Sequence, residues 1–260
     1  MTRYRNAHWW ILAILPLIAL AFWPGYFSQI GTSSVAHHVH AAGGTLWIML
    51  AAAQSWSIAT RRHALHRALG RAVFVVVPLF VAGGTLALVA MATSAVARTD
   101  PFSAAFGARL ATVDMTSVIA MPLLVRDALA HRRHATRHAA SMLATVLLVL
   151  PPVLARLFPS LPGFPPSFVA ACDTGQLAAA AIALTLWLRD RNAGRAFAVV
   201  AALQSFQTAI FALYPGEAVA RTLAATPPFP LATAAALATF AMLWTAWRPL
   251  RPLVRIASAV

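Results

Sequence analysis

Residues 35–71 read VAHHVHAAGGTLWIMLAAAQSWSIATRRHALHRALGR: three histidines, about twenty mostly apolar residues, then a knot of arginine and histidine. A helix of about twenty such residues crosses the roughly 30 Å hydrocarbon layer of a bilayer. At about 100° per residue, His37, His40, Gly44 and Trp47 share one side of that helix, with Gln54 near the same stripe. Polar groups inside lipid are expensive, so this stripe is expected to face protein or a bound group.

The composition around this stretch agrees with a membrane protein. Hydrophobic residues make up 60% of the 260 and charged residues only 10%, outside the range of soluble domains. The net charge of +14 sits in short arginine clusters between apolar runs, which reads as topology and not as nucleic-acid binding. Lysine is absent, which excludes a Schiff-base lysine, and the single cysteine, Cys172, excludes an internal disulfide or a cysteine-based zinc or iron–sulfur site.

Eight apolar segments are read: 8–27, 35–60, 72–97, 108–130, 139–158, 168–188, 196–214 and 229–247. Runs this long without alternation are helices and not barrel strands. The fold class expected is an all-α integral membrane bundle of about eight helices with both termini cytoplasmic. It forms one domain over 1–260, with a polar-lined four-helix core at 35–160 and three more helices and a basic tail at 161–260. Arginines test this division. Arg3, Arg5, Arg61, Arg62, Arg67, Arg71, Arg126, Arg132, Arg133, Arg137, Arg189, Arg191, Arg195, Arg248, Arg251 and Arg255 fall on the inner side; Arg98, Arg109, Arg156 and Arg221 fall on the outer. That split obeys the positive-inside rule at every loop and points to a bacterial inner membrane with anionic headgroups at the basic rim. A second reading of the first segment, cleavage at Ser34-Val35-Ala36 as a secretory signal, is opposed by its length and by Trp9, Trp10 and Trp23, which suit interfacial anchors.

Pro16, Pro78, Pro122 and Pro151-Pro152 lie within the segments and are expected to kink them. Gly43-Gly44 and Gly83-Gly84 permit close helix approach, and the loop LFPSLPGFPPSF is expected to be an extended cap.

The topology sorts the histidines. His37, His38 and His40 lie outside, whereas His63, His66, His131, His134 and His138 lie inside, the last three on one helical face. Asp114 is the acid most clearly within a span, with Arg109, Arg156 or a histidine of the second helix as expected partners. Two sites follow. His37, His40 and Asp114 form a candidate outer site for copper, zinc or iron. His66 and His138, on different helices at the inner side, are candidate axial ligands of a haem b, with Arg67 and Arg71 offered to its propionates. Arg156, Gln54 and Gly44 are candidate structural or gating residues. A cofactor-free transporter or structural subunit is the third reading.

The pattern His40-x-x-x-Gly44, Gln54, His66-Arg67-x-x-Gly70-Arg71, His138-x-x-x-Met142 and Arg156 resembles a family of bacterial multi-spanning membrane proteins known only as a domain of unknown function. The resemblance covers residues 35–160 and departs at Ser141, where the family prefers Trp. It implies that His40, His66, Arg67, Arg71, His138 and Arg156 are the positions that matter. The architecture is also similar to cytochrome b561 and ferric-reductase-like haem proteins. For the haem reading, the expected electron partner is a membrane donor such as quinone. A two-haem version does not fit, because outer histidines come from one helix alone.

Overall fold

Six helical stretches are long and apolar enough to cross a membrane in the computed structural model, which describes residues 4–248. Arg3, Arg251, Arg255 and the rest of the basic tail lie outside the described residues. The six are α4 (Val73–Ala97); Ser103–Ala130, a π-turn continuing into α5 (Ala108–Ala130); Ala135–Ser160, comprising α6 (Ala135–Leu147) and α7 (Leu150–Leu157); α8 (Phe168–Arg189); α9 (Arg195–Leu213); and α11 (Pro228–Trp247). Every regular element described is helical. The chain is thus all-α and membrane-like.

The first two expected spans stand apart from these six. α1 (Ala7–Phe22) is apolar but has 16 residues, ending five short of the expected limit because the chain turns at Trp23-Pro24-Gly25. α2 (Val35–Ala59) has 25 residues, but its histidines, Gln54 and serines lower its hydropathy. Two short helices at the surface were not expected. α3 (His63–Gly70) follows a turn in which Arg61 takes a left-handed φ of 59°, and α10 (Glu217–Ala224) precedes α11.

Two local expectations are corrected. His131, His134 and His138 do not share a helix, because α5 ends at Ala130 and His134 caps α6. The proline-rich loop is not extended: Phe158–Ser160 forms a 3-10 turn and Phe158 stacks on Phe164 at 5.4 Å. Pro16, Pro78 and Pro122 lie inside α1, α4 and α5, and Pro151-Pro152, at the start of α7, accompanies a break between α6 and α7.

α4 is the hub, packing against α2, α5, α10 and α11. Glycines set its crossings. A Cβ on Gly43 would stand 2.9 Å from Phe80 Cα, and one on Gly83 2.7 Å from His40 Cα, so α2 and α4 touch backbone to backbone at two places. Gly84 seats Val118 of α5, whereas Gly44 faces open space, so the close approach belongs to Gly43. Deeper in the bundle, Trp47 is wholly buried and donates its indole N–H to Thr145 Oγ1 at 3.2 Å, pinning α2 to α6. Trp9, Trp10 and Trp23 are exposed at the two ends of α1, and large apolar side chains stand exposed along most of the long helices, as a lipid-facing surface requires.

Candidate functional site

At the end of the bundle that carries the α2–α3 turn, α3 folds back beneath α2. Gly70 lies against α2 here, where a Cβ would make an ordinary 3.4 Å contact with Gln54 Nε2. The fold-back brings His66, half-buried, to Ser57, whose Oγ lies 3.5 Å from His66 Nδ1 and itself donates to the Gln54 carbonyl at 2.8 Å. Burial is the main influence holding the His66 imidazole below its ordinary value near 6.5; the nearby His138, His63 and Arg67 act in the same direction and the Gln54 carbonyl in the opposite one.

His138 arrives from α6. Its Nδ1 is 2.8 Å from the Ala128 carbonyl, which only accepts, so Nδ1 carries the proton and Nε2 keeps a lone pair. The rings of His66 and His138 lie 6.3 Å apart, centroid to centroid, with planes 85° apart. No hydrogen bond joins the two rings among the described contacts. His138 is thus tied to a backbone carbonyl of the neighbouring helix and His66 to the Ser57 hydroxyl, and the two rings stand close without bonding each other.

α6 is clamped to the end of α5 by Asp127, which accepts from Arg137 at 2.9 Å and from Ser141 at 2.7 Å and lies 3.1 Å from His131 Nδ1. Ser141 is fully buried. Its hydroxyl holds the carboxylate, one turn from His138. Arg67 and Arg71 are exposed, and their side chains make no hydrogen bond or ion pair among the described residues. Arg62 and Arg133 lie at this same end, each near one of the paired histidines in sequence.

The other end holds His37, His40, Asp114 and Arg156. His37 Nδ1 is engaged with Ser34 Oγ at 2.9 Å, where Ser34 caps α2. Among the described residues no three of His, Cys, Asp and Glu converge as a metal site, so His37, His40 and Asp114 are not gathered into one. Arg109 donates to the Phe211 carbonyl at 3.3 Å and is not the partner of Asp114. Arg156 is: its charge acts on Asp114 and His40 alike. The two do not close an ion pair among the described contacts. The guanidinium instead donates to its own helix at the Pro152 carbonyl, 2.9 Å away, and lies 4.3 Å over the Phe22 ring.

Sequence reading missed the carbonyl and the hydroxyl that hold the two imidazoles, because such partners depend on where α3 and α6 fold back. It also passed over Gln176, Gln204 and Gln207, whose polarity inside apolar helices was a signal. All three are buried, and Gln207 Nε2 donates to Thr116 Oγ1 at 2.7 Å and Ser117 Oγ at 2.8 Å, joining α9 to α5. No protein-family model matches the chain, and no curated protein or solved structure is significantly similar to it.

Proposed function

We propose that this protein is a membrane electron-transfer protein in which His66 and His138 are the two axial ligands of a single b-type haem. The observation that supports the reading is their separation. Imidazoles on opposite sides of one iron, each with its nitrogen about 2 Å away, have ring centroids about 6 Å apart; these are 6.3 Å apart. The donor chemistry suits the role. Metal-bound histidines give their second ring N–H to a carbonyl or a similar acceptor, which fixes the tautomer and raises ligand basicity, and the Ala128 carbonyl does this for His138 while the Ser57 hydroxyl lies at Nδ1 of His66.

When bound, the haem supplies reversible one-electron chemistry. The chain's own residues do the rest. The Asp127–Arg137–Ser141 clamp orients His138, and the exposed Arg67 and Arg71 offer charge-assisted hydrogen bonds to propionates. A quinol in the bilayer is the electron source this reading implies. In the same reading the chain crosses a bacterial inner membrane eight times, with α1 and α2 completing the six longer apolar stretches. Both termini are then cytoplasmic, and the basic rim around His66 and His138 meets anionic headgroups.

The test is the absorbance spectrum of protein purified from cells supplied with haem precursor. The reading expects a Soret band, with sharpened visible bands on reduction. His66→Ala and His138→Ala should each leave a haem that binds carbon monoxide or lose it altogether. Wild-type protein without a Soret band, before and after incubation with haemin, would remove the proposal.

A further inference from the structure

His40, Asp114 and Arg156 come from α2, α5 and α7, and the Arg156 charge acts on both of the others. All three are surrounded by protein at the scale of the bundle, yet His40 and Arg156 keep exposed surface and Asp114 is only half-buried. A side chain enclosed at long range but open at short range lies on the wall of a cavity. Gly44, one turn from His40 on the same face, agrees, since a Cβ there would meet nothing within 4 Å. His40 and Asp114 make no hydrogen bond among the described contacts, and ionisable groups left open inside a membrane bundle need water or a ligand to satisfy them.

We propose that His40, Asp114, Arg156 and Gly44 line a water-filled cavity inside the bundle, in which Asp114 takes up and releases protons from the solution at that face. The chemistry is a carboxylate accepting a proton delivered by water and returning it. Arg156, whose charge also reaches His40, is the fixed positive charge that keeps the ionised carboxylate within reach. The other elements leave this assignment undisturbed. α4 and α11 carry no ionisable residue, α9 has only Arg195 at its far end, and Arg137 and His138 of α6 belong to the opposite end. On α10, Glu217 and Arg221 bond each other at the surface, 3.4 Å apart. On α8, Cys172 and Asp173 lie nearby, Cys172 within the influence of Asp114 and buried against Val113, Ala155 and Phe211. The inference does not depend on haem binding.

Two measurements on full-length protein in nanodiscs test it. In a Cys172→Ser background, Gly44→Cys and Leu46→Cys place thiols at nearly the same depth on different faces of α2. Leu46 is 44% exposed on the outside of the bundle. The cavity predicts that the small cation 2-aminoethyl methanethiosulfonate labels the Gly44→Cys thiol several-fold faster than the Leu46→Cys thiol. Equal rates would overturn the cavity. Infrared titration should show a protonated-carboxyl band that appears on acidification, shifts in D2O and is missing in Asp114→Asn. Failure of that band to appear or to exchange would overturn Asp114 as the proton site even if the cavity is wet.

Discussion

Gly83 and His40 meet with no side chain between them: a Cβ on Gly83 would stand 2.7 Å from the His40 Cα and the Val39 carbonyl. The neighbouring atoms are backbone and have nowhere to swing. Gly83→Ala therefore forces α2 from α4, at about 1–3 kcal/mol for overpacking, and thermal unfolding in detergent should show a lowered midpoint. Gly44→Ala meets open space and gains up to about 1 kcal/mol of helix propensity. Equal midpoints for the two variants would contradict the crossing.

Ser141 and Asp127 carry the second prediction. Ser141→Ala removes a buried hydroxyl that donates to Asp127 Oδ2 at 2.7 Å. The remaining partners, Arg137 and His131, leave the carboxylate partly satisfied, so the loss is about 1–2 kcal/mol. Chemical denaturation should move to lower denaturant. An unchanged midpoint for the alanine variant would show that the clamp does not hold α6.

The histidines predict a pH dependence. Because burial holds the folded His66 imidazole below its ordinary value near 6.5, the unfolded chain binds the proton first as pH falls. Stability is then full above about pH 6.5, declines below it, and stops declining on this account once pH passes under the folded-state value. His66→Gln should flatten that part of the curve in a series of unfolding midpoints from pH 8 to about pH 5. A variant with the wild-type slope would assign the dependence to another group.

The apolar runs made the long helices legible, and the arginine clusters marked where they turn. Residues 168–188, 196–214 and 229–247 fall within a residue or two of α8, α9 and α11. α3 was hidden because its eight residues carry too little apolar surface to read as a span; its amphipathic pattern rests on the bundle instead. The break at Leu148-Val149 was obscured because apolar residues continue through it, and only the proline pair marked it. His66 and His138 could be chosen as a pair from the side of the bundle they share. The carbonyl and the hydroxyl that orient them, and the failure of His37 to join His40 and Asp114, depend on side-chain directions that residue spacing does not fix.

The near-perpendicular ring planes of His66 and His138, 85° apart, reach furthest into a spectrum. Electron paramagnetic resonance of the oxidised, haem-loaded protein reads both the ligand pair and the angle between their planes. The account predicts a low-spin ferric signal of the strongly anisotropic type given by perpendicular imidazoles, lost in His66→Ala and in His138→Ala alike. A high-spin signal, or a low-spin signal that survives both substitutions, would contradict it.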